Sequence, residues 1–94
     1  SQQLNTEKLG EYVLMGELAL DGALRPIRGV LPIAIQARKE GFKGFILPRE
    51  NAEEAAIVNN LDIIPVDTMQ EAVDFLEGRL DIQPLVIDTR DVFQ

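Results

Sequence analysis

Ninety-four residues, 46% of them hydrophobic, make one small domain at most and argue against a disordered chain. With no Cys and no His there is no disulfide framework, no thiolate or imidazole metal ligand and no histidine general base, and Ser1 as the only serine leaves no ordinary hydrolase triad. A net charge of −7 makes the chain a poor general binder of nucleic acid, and no apolar run approaches the roughly 20 residues of a membrane span, so a soluble, cytoplasmic protein with no membrane partner is expected.

In chain order, Ser1 to Glu11 is polar, with Asn5 or Thr6 placed to cap a single helical turn. Tyr12 to Leu20 reads as a β-prone run interrupted by Glu17. It turns at Asp21-Gly22, the strongest hairpin signal in the chain, and Ala23 to Ile27 pairs back as a short strand. Gly29 to Gly41 predicts the first helix. Val30, Ile33, Ala34 and Ala37 form its buried stripe, Leu31 and Ile35 widen it, Pro32 sits in the tolerant first turn, and Gly41 closes it.

Gly44 to Pro48 has the continuous apolar pattern of a strand covered on both faces. Asn51 is then read as a helix cap with Glu54 as its capping-box partner, the helix running to about Asn59-Asn60. Ile63 to Val66 is the next strand, and Pro65 places it at an edge or strand end. Thr68-x-x-Glu71 opens a third helix with the stripe Met69, Ala72, Val73 and Leu76, closed by Gly78. From Arg79 to Gln94 the periodicity lapses, and the segment reads as an extended linker that adds a strand or docks on the surface. The strand–helix alternation predicts an α/β fold: a small, mostly parallel sheet with right-handed crossovers, an N-terminal β-hairpin and three helices.

Charge is unevenly placed. Arg25, Arg28, Arg38, Lys39, Lys43 and Arg49 lie in a segment whose only acid is Glu40, a local +5 in a chain of −7. Such asymmetry marks either a DNA- or partner-contacting face or a solvated helix face with its loops. The pairs Glu53-Glu54 and Asp62/Asp67 are the carboxylates available for acid–base work, and nothing in the pattern converges on them. No phosphate-loop spacing or calcium loop is present, so neither cofactor nor metal is expected in this chain.

The segment Gly16-Glu-Leu-Ala-Leu-Asp-Gly-Ala-Leu-Arg-Pro-Ile-Arg-Gly29 resembles the corresponding segment of Lon-type peptidase domains. Lys43 to Asn51 resembles the Lon stretch ending in Pro-x-Glu-Asn. Gly29 to Ala34, Ile46 to Ala56 and Phe75 to Gly78 are more similar to the magnesium-chelatase-related ComM (YifB) family of bacterial AAA+ proteins, whose Lon-like domain precedes the ATPase module. The RadA-type DNA-repair proteins carry a similar domain.

The resemblance implies a partial Lon-protease-like α/β domain over 1–78, the second half of that domain, with 79–94 leading towards an AAA+ module. It further implies ATP, Mg2+ and hexameric self-association in the parent protein, and a part in DNA processing during transformation. In Lon peptidases Pro-Ile is followed by Gly-Gly-Leu-Lys, whose Lys completes a Ser–Lys dyad. Here Pro26-Ile27-Arg28-Gly29-Val30 puts Leu31 at the Lys position, and a Leu cannot activate a nucleophile. The expectation is a non-catalytic accessory module serving structure, oligomerisation or DNA/partner contact; a fragment of a Lon-type Ser–Lys peptidase domain or of a RadA-like DNA-repair protein is the alternative.

Overall fold

A computed structural model describes residues 10–87. The expected turn at Asn5 or Thr6 lies outside the described residues. Among the described residues five strands and three helices follow one another: β1 (Tyr12–Leu14), β2 (Glu17–Leu18), β3 (Leu24–Arg25), α1 (Val30–Lys39), β4 (Gly44–Pro48), α2 (Arg49–Ala55), β5 (Asp62–Val66) and α3 (Met69–Leu76). β1, β4 and β5 form an all-parallel sheet in the order β1-β4-β5, and β2 with β3 forms a separate antiparallel hairpin.

The sheet separates two apolar clusters, and strand alternation decides which side chain enters which. Val13, Phe45, Leu47 and Ile63 face α1 and α2, where they meet Val30, Ala34, Ala37, Ala52 and Ala55. Tyr12, Leu14, Ile46, Ile64 and Val66 face α3, where they meet Ala72, Phe75 and Leu76. β4 lies in the middle with every residue buried, which is why its sequence shows no polar alternation. The small alanines on α1 and α2 let both helices sit close to one face of a three-stranded sheet.

Gly44 is fixed by this packing. It stands opposite Tyr12 in the register, and a Cβ on it would lie 2.6 Å from the Tyr12 ring and 2.8 Å from the Asp62 carbonyl oxygen. The ring covers Gly44 and meets Phe75 edge-on, with centroids 5.3 Å apart.

The sequence-based boundaries need three corrections. Tyr12 to Leu20 is not one strand: Tyr12–Leu14 pairs in parallel with β4, Glu17–Leu18 pairs with β3, and Gly16 lies between them. Side chains of Leu24 and Pro48 come within 3.2 Å of where a Gly16 Cβ would be, so the chain passes from sheet to hairpin through a gap only Gly fills comfortably. Next, α2 starts at Arg49 with Pro48 as N-cap, and Asn51 is inside the helix rather than capping it. Finally, α2 ends at Ala55, ahead of the expected Asn59-Asn60.

α1 and α3 run as predicted, and Thr68 and Glu71 form the capping box, with Glu71 N–H donating to Thr68 Oγ1 at 3.1 Å and Thr68 N–H to Glu71 Oε1 at 3.1 Å. Beyond α3, residues 79–87 lie against the fold: Ile82 joins the α3-side cluster, Leu85 the other, and Leu85 N–H donates to Ile63 C=O at 2.8 Å. Among the described residues no helix is long and apolar enough to cross a membrane.

Candidate functional site

The hairpin stands on the junction between β5 and α3. Leu24 N–H donates to Asp67 C=O and Met69 N–H to Gly22 C=O, both at 2.9 Å, so the turn satisfies one of the free N–H groups at the start of α3. Asp21 Oδ1 accepts from Ala23 N–H at 3.0 Å and rigidifies the Asp-Gly turn.

From the hairpin the chain runs through Pro26 to Gly29 into α1. Two hydrogen bonds from one side chain hold this connection. Ile27 N–H donates to Asn51 Oδ1 at 2.9 Å, and Asn51 Nδ2 donates to Ile27 C=O at 3.0 Å. The amide thereby replaces a missing neighbouring strand for Ile27, and it is the only buried polar residue among the described ones. Gly29 then takes φ 72°, the left-handed conformation that turns the chain into α1.

Leu31 follows in the first turn of α1. It is half-buried and packs against the cluster of Val30, Ala34 and Phe45. The position has a fixed backbone and an apolar setting, and its side chain has no proton to take or give.

The six cations do not form one face. Arg38 and Lys39 end α1, and Lys43 immediately precedes β4, so these three belong to the end of the sheet where its strands begin. Arg49 follows Pro48 and lies with the other end, where the hairpin carrying Arg25 is docked; Arg28 follows on the connection into α1. The five residues of β4, a rise of roughly 13–17 Å, separate the two groups.

Two of the six, Lys43 and Arg49, are also met by acids. Arg49 Nε bonds Asp67 Oδ1 at 3.1 Å, a contact that raises the guanidinium further above its already high value. Lys43 lies 3.9 Å from Glu11, and Arg25 stands opposite Glu17 in the hairpin. Arg25, Arg28, Arg38 and Lys39 make no ion pair with the described residues. Glu53 and Glu54 are exposed on α2, Asp62 begins β5, and Asp67 is engaged by Arg49. Among the described residues no group of three or more acids comes together as metal ligands would.

Beside the hairpin tip, Leu18, Leu20, Met69 and Val73 line an open groove of about 520 Å3. Leu18 and Leu20 are exposed there. Asn51 is the structurally decisive residue that local pattern reading misassigned. The signal that pointed to it was its place in the Pro-x-Glu-Asn segment, not its neighbours.

Comparison with known proteins gives this arrangement its relatives. The family described as subunit ChlI of Mg-chelatase matches residues 1–51. The Escherichia coli protein YifB is 42% identical over 84% of this chain and 15% of its own length. The competence protein ComM of Haemophilus influenzae is 35% identical over the same shares. Lon protease 2 of Bacillus subtilis is 38% identical over 65% of this chain and 11% of its own. The chain thus spans about one seventh of the length of the first two relatives. The Lon match agrees with the parallel sheet and hairpin, and the ChlI, YifB and ComM matches together show that the chain belongs to the magnesium-chelatase-related ComM/YifB family.

Proposed function

We propose that the chain is a non-catalytic Lon-like module of a magnesium-chelatase-related AAA+ protein, used for packing and self-association within that protein. The ATP and Mg2+ sites and the DNA-processing activity belong, on this reading, to parts of the protein outside residues 1–94. The observation that carries it is Leu31. The position that a Lon-type dyad needs for its Lys is occupied by a hydrocarbon side chain packed on the apolar cluster, and no base-assisted nucleophile can be completed from it.

The expected result is that full-length protein shows no hydrolysis of unstructured protein substrates, with or without ATP. Turnover that survives purification and is abolished by a serine-directed acylating reagent would overturn the reading. The split arrangement of the cations supports packing over a continuous nucleic-acid track, since a track needs its charges along one face.

A further inference from the structure

Among the described residues β5 ends the sheet, and its outer edge is short of donors. Asp62 N–H donates to Lys43 C=O at 2.9 Å. By alternation Ile64 and Val66 also turn their backbone groups towards β4, while Ile63 and Pro65 turn theirs outward. Pro65 has no N–H, and the Ile63 carbonyl is taken by Leu85 N–H at 2.8 Å. The segment that supplies this bond crosses the edge from one face of the sheet to the other, with Ile82 in the α3-side cluster and Leu85 in the opposite one. Covering an edge with a loop and a proline is a recognised way to stop strands from other chains adding there.

The segment is fastened where it leaves α3. Arg79 donates to Asp74 Oδ1 through Nε at 3.2 Å and Nη2 at 2.8 Å, and its Nη1 pairs with Glu77 Oε1. The backbone N–H groups of Arg79 and Leu80 both reach the Asp74 carbonyl, at 2.8 and 3.2 Å. Glu77 makes the fastening conditional. Its side chain is 6% exposed, and its Oε2 has no hydrogen-bond partner among the described residues. A carboxylate covered to that degree is tolerable beside its counter-ion and costly without it. α3 is held by its capping box and by Ala72, Phe75 and Leu76, so the less costly way to rehydrate an unpaired Glu77 is to lift the segment that follows it.

We propose that residues 79–87 are a strap that seals the β5 edge, with the Arg79–Glu77 pair as its releasable fastening, so that the strap lifts as a unit while the sheet stays folded. Lifted, it exposes the Ile63 carbonyl and the apolar surfaces under Ile82 and Leu85.

Amide hydrogen exchange on the whole chain tests this. In the unaltered protein the Leu85 amide is protected. Arg79→Ala accelerates its exchange by about tenfold or more and leaves β4 amides unchanged. Glu77→Gln added to Arg79→Ala restores most of the protection, because the buried charge is gone. Leu85→Pro removes the edge bond without touching Arg79, and it accelerates exchange at the Leu80 amide, which donates to the Asp74 carbonyl, with β4 unchanged. The proposal is overturned if Leu85 exchanges at the rate of an unstructured peptide in the unaltered protein, or if Arg79→Ala leaves it protected. It is equally overturned if the Glu77→Gln addition restores nothing, or if both Arg79→Ala and Leu85→Pro expose β4 along with the strap.

Discussion

Asn51 bonds a backbone segment 24 residues away, and this separation explains both its importance and its invisibility in the sequence. Followed by Ala-Glu-Glu-Ala, an Asn satisfies every local rule for a helix cap, and no neighbouring residue distinguishes a cap from a clamp. Asn51→Ala leaves a part-buried N–H and C=O of Ile27 without partners. The expected loss is about 2–4 kcal/mol in urea denaturation, a large share of the stability of so small a domain. Asn51→Asp is no rescue, since a carboxylate accepts from Ile27 N–H and repels its carbonyl.

Gly44→Ala is expected to cost about 1–3 kcal/mol, because the added methyl group meets the Tyr12 ring on one side and backbone on the other. Tyr12 can be followed directly. It is the only tyrosine in the chain, and burial is the main cause that raises its phenol above its ordinary value near 10. A group whose folded value is raised contributes stability that is present below the unfolded value and lost as pH climbs through the folded one. An absorbance titration of phenolate should therefore show a midpoint above 10 in the folded protein, falling to the ordinary value in denaturant.

At the scale of elements, α1 and α3 were legible because their signals are local: a four-residue apolar spacing, a closing glycine and, for α3, the Thr68-x-x-Glu71 box. Thr68→Ala removes the Oγ1 acceptor for Glu71 N–H and is expected to cost about 1 kcal/mol in thermal or urea unfolding. The far end of α3 carries the pH dependence. Hydrogen bonds from Arg79 and then Gln70 hold the Asp74 carboxyl below its ordinary value of 3.8. That sign means a contribution present above the unfolded value and lost as pH falls through the folded one, so the melting-temperature gap between the unaltered protein and Asp74→Asn should close on acidification below about pH 4. Because the pair is exposed, salt should narrow the same gap.

Strand assignment was harder than helix assignment for a physical reason. Tyr12 to Leu20 reads as one β-prone run interrupted by Glu17, but its first three residues pair with the distant β4 while Glu17–Leu18 pair with β3 across the Asp21-Gly22 turn, and nothing local marks the change of partner. The six cations are split between two ends of the sheet for a related reason. They are neighbours in sequence, yet a five-residue strand runs through their segment and carries Arg38, Lys39 and Lys43 to one end of the sheet and Arg49 to the other. Leu31 was readable as a side chain packed on the core because it widens the apolar stripe of α1, and it packs against that cluster.

For the whole molecule, the strand order β1-β4-β5 has a kinetic consequence. The central strand waits for both neighbours, and they do not arrive at equal entropic cost. The chain between β1 and β4 is more than twice as long as that between β4 and β5, so closing the second loop is cheaper. β4 and β5, with α2 between them, form the natural nucleus, and β1 with its hairpin docks afterwards. Ile64→Val, in the nucleus, should slow refolding, whereas Val13→Ala, on the late strand, should leave refolding unchanged and speed unfolding. Of the three strands β1, β4 and β5, the one that comes first in the chain is the last to find its place.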